Sequence, residues 1–182
     1  MDIIYYLDFK CPFCYMGLSQ LEEAIESFDE EVNLSFHSFV LADPTSKKLM
    51  GDVHKYKESF NVRIKPKKPV KFNTFLAHQT LHAINEADQL NFIKDAYELV
   101  FEEQQKLDEK TLKPLWEKYN VTSDEVMTDE MKDKVLTVHQ EAVKDEVEQI
   151  PVVVIDDQYA VVGAQRKEGY LKAMEQAKAG EA

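Results

Sequence analysis

The chain has 182 residues, a length that suits one domain or one domain carrying a large insertion. Hydrophobic residues make up 44% and aromatic residues 10%, enough to build a packed core, so wholesale disorder is excluded. Acidic residues outnumber basic ones 34 to 22, and the net charge of −12 repels phosphate backbones and anionic bilayers. Neither nucleic acid nor membrane is expected as a partner. Apolar runs such as Val152-Val153-Val154-Ile155 fall far short of the ~20 residues that cross a bilayer. With no basic, cleavable leader before Ile3-Ile4-Tyr5-Tyr6-Leu7, the expected location is cytoplasmic.

Residues 3–9 alternate bulky and β-branched side chains and read as a first strand. Pro12 suits the first turn of a helix, and Leu18, Leu21, Ala24, Ile25 and Phe28 give that helix an apolar stripe. Residues 32–40 alternate again, completing a βαβ unit. From about residue 43 the period becomes helical, with helices predicted near 46–60, 73–87, 89–106, 111–119 and 129–148, and Asn73 and Thr111 as caps. A Pro-broken basic segment, residues 63–71, reads as a solvated loop, or as a patch for an anionic substrate or an acidic face of a second subunit. Strand signals return at 151–155 and 159–163 around Asp156-Asp157-Gln158, a hairpin, before a last helix near 166–179 with Tyr170, Leu171 and Met174 inward. The order predicts an α/β domain made of residues 1–42 and 149–182, with a helical domain, 43–148, spliced into it.

The two cysteines stand together as Cys11-Pro12-Phe13-Cys14 at the strand-to-helix junction. One pair this close constrains little of the unfolded chain, so a structural disulfide is a poor explanation. At a helix N-terminus, unpaired N–H groups and the macrodipole favour a thiolate on Cys11, the nucleophile of disulfide exchange. Cys14, one turn on, lies on the same face and can resolve the mixed disulfide that Cys11 forms. Half of a zinc site and a pair of inert core thiols are the competing readings. The first needs further ligands and no third cysteine exists; the second rests on free cysteine being often simply buried. Phe13 brings no hydrogen-bond donor to the Cys11 sulfur, while Lys10 could lend it positive potential.

With this motif, the split α/β order and Ile150-Pro151, the sequence resembles the DsbA-like thioredoxin superfamily, and within it the FrnE type of dithiol-disulfide oxidoreductase. The segments that carry the resemblance are residues 8–17, Phe72-Asn73-Thr74-Phe75-Leu76-Ala77-His78 with His82, and Ile150-Pro151-Val152 leading to Val162-Gly163-Ala164-Gln165. The resemblance implies a thioredoxin-like fold with a large inserted all-helical domain. It also implies a cis peptide before a proline facing the cysteines, which maps onto Pro151, with the Ile150 backbone free to pair with an extended substrate segment. Kappa-type glutathione transferases and hydroxychromene-carboxylate isomerases share that architecture, often with serine at the first motif position, and stand as the alternative. Two cysteines favour exchange.

His78 and His82, with Glu86 one turn on, could present a metal-binding face, but His78-Gln79-Thr80-Leu81-His82 lacks the glutamate of a zincin, so helix packing or shaping of the cleft is the plainer reading. The stripe Phe92, Ala96, Leu99 and Val100 reads as core. Asp8 and His37 read as strand-end polar residues, with assistance to proton transfer at Cys14 as the functional alternative. The expectation is therefore a thiol-disulfide reductase or isomerase with Cys11 and Cys14 catalytic and Ile150 and Pro151 binding substrate. It needs no metal or cofactor beyond its own disulfide, glutathione being a candidate reductant or substrate. Its partner is a disulfide-containing protein or small molecule, and its charge permits a homodimer without requiring one.

Overall fold

A computed structural model describes residues 1–42, 47–65 and 72–180. Strand β1 (Asp2–Leu7), helix α1 (Pro12–Glu26) and strand β2 (Asn33–Ser38) form the expected βαβ unit, with β1 and β2 parallel. Strands β3 (Val152–Ile155) and β4 (Tyr159–Val162) form the hairpin, and β3 lies antiparallel to β1, giving the sheet order β2-β1-β3-β4. Asp156 and Asp157 turn the hairpin with φ of 49° and 54°, the left-handed pair a tight turn demands and Asp tolerates. The Asp156 carboxylate accepts the Asp2 N–H at 2.7 Å and so pins the turn to the start of β1.

Because β1 is central, both of its faces are covered. Ile3, Tyr5 and Leu7 are fully buried on one face, in a cluster with Leu18, Leu21 and Ala24 of α1 and Tyr170 and Met174 of α8 (Lys167–Ala179). Tyr6 on the other face joins Val152, Phe39, Val147 and Ala142, the last from α7 (Asp129–Lys144). Between β2 and β3 the described residues also hold α2 (Lys47–Tyr56), extended by a 3-10 turn to Phe60, then α3 (Phe75–Ala83), α4 (Glu86–Tyr97), α5 (Glu109–Lys118) and the short α6 (Ser123–Val126). The core is continuous between sheet and helices: Phe9, just past β1, meets Phe92 and Tyr97 of α4 at ring distances of 5.7 and 6.0 Å. No helix among the described residues is long and apolar enough to cross a membrane.

Several helix boundaries depart from the sequence expectation for local reasons. Ile84 is extended and the Asn85 side chain caps Ala87 N–H at 3.0 Å, so the 73–87 segment breaks and Glu86 opens α4. After Tyr97 the chain makes a π turn, Glu98–Glu102, that sets Phe101 flat on Tyr15 at 5.6 Å instead of continuing to residue 106. The cap of α5 is Asp108; Thr111 is its reciprocal partner in a capping box, where two orphan N–H groups are satisfied at once. For α3 the helix begins after Thr74, although Asn73 still accepts the Phe75 N–H at 2.8 Å. The basic segment 63–71 falls largely outside the described residues.

Gly17 of α1 sits where the helix meets the sheet: a Cβ there would lie 2.8 Å from Tyr170 Oη, 2.9 Å from Tyr5 Oη and 3.3 Å from Pro151 Cγ. Neither phenol can swing away freely, since Tyr5 donates to the Cys14 carbonyl at 2.7 Å and Tyr170 accepts the Gln165 N–H at 3.2 Å. Helix propensity favours alanine by about 1 kcal/mol, whereas overpacking costs about 1–3 kcal/mol. The two contacts under 3 Å put the cost towards the upper end of that range, so Gly17→Ala is expected to lower stability by up to about 2 kcal/mol, read as a reduced urea midpoint; an unchanged or raised midpoint would contradict this packing.

Candidate active site

Cys11 is the N-cap of α1. Its backbone is extended (φ −89°, ψ 106°), and its sulfur accepts the Cys14 N–H at 3.3 Å, the place a cap oxygen normally takes. Pro12 follows as the first helical residue, where a missing N–H leaves nothing unpaired. The Cys11 N–H donates to the Asp8 carbonyl at 3.1 Å, so the strand end holds the motif directly. Both cysteines are free thiols, but they differ in depth: Cys11 is 5% exposed and Cys14 not at all. Burial pushes the Cys14 thiol well above its ordinary range, and the neighbouring Cys11 pushes it further. The outer sulfur lies at the protein surface and the inner one is held in its protonated form.

In front of Cys11 opens a cavity of about 730 Å³, lined by Phe13, Leu41, Tyr56 and Phe60 on one side and Ile150, Pro151, Gly163 and Ala164 on the other. The Ile150–Pro151 peptide is cis, and the Ile150 carbonyl lies 3.8 Å from Cys11 Sγ, within reach of a weak thiol hydrogen bond. The structure thus brings together all four residues that the sequence singles out. Arg166, Glu148 and Gln149 are the charged and amide side chains of a mostly apolar lining.

Asp8 is not an ordinary strand-end residue. It is fully buried, and its carboxylate accepts the N–H groups of Lys10 and Leu41 at 2.8 Å each and the Thr74 hydroxyl at 2.9 Å, with His78 Nε2 3.5 Å away. Burial alone would raise its pKa, but the His78 imidazole beside it and the N–H groups of Lys10 and Leu41 outweigh that and hold it below the ordinary value. Its main chain also hydrogen-bonds Cys14, favouring the thiolate, while its charge disfavours it. Lys10 is nearly buried and spends its ammonium on the Leu41 carbonyl rather than on the cysteines.

His37 is not brought to the cysteines: it pairs in register with Tyr6 and packs on that ring, at 5.2 Å, while its neighbour Ser38 shares the register position of Leu7 on the opposite face. His78 and His82 share α3, but the break at Asn85 takes Glu86 off their helix, which removes the face a metal would need. Among the described residues no group of three His, Cys, Asp or Glu side chains could hold a metal ion. Ser38 lies between the two imidazoles, 2.8 Å from His78 Nδ1 and 2.9 Å from His82 Nε2.

Residues missed by the sequence reading are Tyr5, Tyr97, Ser38 and Thr74. Tyr5 bonds the Cys14 carbonyl, and Tyr97 donates to the Asp8 carbonyl at 3.5 Å. Thr74 bonds the buried Asp8 carboxylate, and Ser38, on the same alternating face of β2 as Phe36, meets two imidazoles of α3; nothing local in the sequence reveals either partner.

The family model for a DSBA-like thioredoxin domain matches residues 2–175. The chain belongs to that family. Its members are thiol-disulfide oxidoreductases or isomerases, so the protein is an enzyme of this kind. Comparison with curated proteins gives no match. Among solved structures, a probable DsbA oxidoreductase from Streptomyces coelicolor superposes with a TM-score of 0.85 at 21% identity, covering 100% of this chain and 91% of that one. A 2-hydroxychromene-2-carboxylate isomerase gives 0.80 at 15% identity, with 100% of each chain covered. The cytosolic disulfide reductase DsbM from Pseudomonas aeruginosa, solved with GSH, gives 0.71 at 11% identity over 98% of this chain and 100% of that one. At these identities the three share the fold.

Burial foremost, then the charges of His78, Lys134 and His37, lowers the pKa of His82 from 6.5 to about 3. The unfolded chain therefore takes up this proton first, and the associated stability is complete above pH 6.5 and is lost as pH falls towards about 3. Asp8, with its lowered pKa, adds a second loss below its unfolded value of 3.8, as pH falls through its folded value. His37 and His139 are also held down by burial and contribute in the same direction. The thermal midpoint should fall from pH 6.5 downwards, and more steeply for the wild type than for His82→Gln; parallel curves for the two proteins would exclude the assignment.

Proposed function

We propose that the chain is a dithiol-disulfide reductase or isomerase of the FrnE type, working by mixed-disulfide exchange through Cys11 and Cys14. The observation that carries this reading is the placement of Cys11 Sγ: at the tip of α1, fronting an apolar cavity, with the Ile150 carbonyl beside it and Cys14 directly behind. The Cys11 thiolate attacks one sulfur of a substrate disulfide, joining it and releasing the other as a thiolate. Cys14 then attacks Cys11 Sγ, the Cys11–Cys14 disulfide forms, and the substrate sulfur leaves with its electron pair. A thiol such as glutathione returns the pair to the reduced state. In a cytosol poised at about −220 to −320 mV such a couple is held mostly reduced, which supports the reductive or isomerising direction.

The apolar lining suits a protein segment with hydrophobic residues beside its cysteine, and the Ile150 backbone suits pairing with that segment in extended form. Residues 1–42 and 149–182 would then carry the exchange site while the helices of 43–148 close it from one side.

Insulin-disulfide reduction driven by dithiothreitol tests the reading. The wild type should accelerate it, Cys11→Ser should fall to the uncatalysed rate, and Cys14→Ser should accumulate substrate covalently on Cys11, visible by mass spectrometry. Equal rates for the wild type and Cys11→Ser would refute the assignment. Glutathione-dependent turnover of an electrophile that survives in Cys14→Ser would move the chain to the transferase or isomerase alternative.

A further inference from the structure

A line of four side chains runs from Asp8, three residues before the cysteine motif, to a second cavity. Asp8 Oδ2 lies 3.5 Å from His78 Nε2, His78 Nδ1 lies 2.8 Å from Ser38 Oγ, and Ser38 Oγ lies 2.9 Å from His82 Nε2. Asp8, Ser38 and His78 are all fully buried. Among the described residues His78 Nε2 has no hydrogen-bond partner, and its nearest carboxylate is that of Asp8. At the far end His82 is half-buried and lines a cavity of about 540 Å³ together with His37, Glu86 and Lys134. No residue of that cavity belongs to the one in front of Cys11.

Cys14 has a proton to lose when it attacks the mixed disulfide and one to regain when it is released. It has no exposed surface, and substrate on Cys11 would occupy the cavity in front of the motif. We propose that His78, Ser38 and His82 form a proton relay, connecting Cys14 through Asp8 to solvent in the His82 cavity. This rests on the dithiol exchange proposed above. Each link can both give and take a proton: a neutral imidazole has one donor and one acceptor nitrogen, and a hydroxyl donates once while accepting. Asp8 takes the Cys14 proton and passes one to His78 Nε2, His78 Nδ1 gives one to Ser38 Oγ, Ser38 gives its own to His82 Nε2, and His82 Nδ1 releases one to the cavity, so Asp8 ends again as a carboxylate. Charge and proton number balance, and the direction of donation along the line reverses. Return of Cys14 to the thiol runs the same line backwards.

The low pKa of His82, about 3, supports a conducting rather than a storing role, because at neutral pH it releases whatever proton it receives. The other charged or titratable groups around the line are His37 on β2, Glu86 and Tyr97 on α4, Lys134 and His139 on α7, and Cys11 itself. His139 is engaged elsewhere, accepting the Val40 N–H at 3.3 Å. The relay residues touch neither substrate nor sulfur; they act through Asp8.

The test follows one step. Reduced wild type, Ser38→Ala and His82→Ala are mixed with glutathione disulfide, acid-quenched at intervals, and weighed to separate the Cys11–glutathione mixed disulfide from the internal disulfide. In both variants the mixed disulfide should persist at least about tenfold longer than in the wild type, with the gap closing as pH rises and hydroxide takes the proton. Added imidazole should restore His82→Ala, whose site opens to a cavity, but not Ser38→Ala, whose site is sealed. Decay at the wild-type rate in either folded variant overturns the relay, as does slow decay indifferent to both pH and imidazole. If the wild type forms no mixed disulfide on Cys11, the dithiol reading fails first and the relay falls with it.

Discussion

Asp8 is a charge sealed from solvent at the end of the central strand, and the arrangement of the site depends on how that charge is satisfied. Removing a carboxylate from water costs several kcal/mol unless donors replace the water. Here the donors come from three separate parts of the chain: Lys10 N–H at the motif, Leu41 N–H just past β2, and the Thr74 hydroxyl at the start of α3, with the His78 imidazole 3.5 Å away. The carboxylate is fully compensated only when strand, loop and helix have all docked. The same residue offers its carbonyl to the Cys11 N–H, so the group that gathers these elements also sets the entry of α1.

From that junction the two sulfurs inherit different surroundings. Cys11 takes the cap position of α1, where its sulfur meets an N–H at the edge of a cavity. Cys14 lies one turn inside, covered by Tyr5 and Tyr97, and burial keeps it protonated at neutral pH. The contrast is geometric in origin: a helix that starts at a sheet edge has its first residue at the rim and its fourth over the core. Around them the lining is mostly apolar, with Glu148 and Arg166 of opposite sign, although the chain carries a net charge of −12, so contact and backbone pairing, more than long-range attraction, are what this cavity offers a ligand.

Elements with a local signature were legible in advance. Alternation marked β1, β2 and the β3–β4 hairpin, and the 3.6-residue stripe marked α1 and α8. Helix ends were harder. Asn85 and Asp108 act as caps because the backbone at each is extended; the helical pattern predicted for 73–87 runs straight across Asn85, and at the start of α5 the cap falls three residues before Thr111. Glu86 was attached to the wrong helix for that reason. The π turn at Glu98–Glu102 is a response to stacking against Tyr15 of α1, a partner more than eighty residues earlier, and no window of local sequence contains it.

The sequence alone determined that a strand would run into a helix at Cys11-Pro12-Phe13-Cys14 and that a hairpin and a last helix would complete the sheet, because alternation, capping and turn chemistry act between residues a few positions apart. Only the tertiary structure decided that Asp8 would be buried, that Ser38 would bridge His78 and His82, and that Ile150 would stand beside Cys11. Those relations join residues 66, 40, 44 and 139 positions apart. Desolvation, which sets the protonation of Cys14 and His82, depends on every neighbour a residue has in space, and most of those neighbours are distant in the chain.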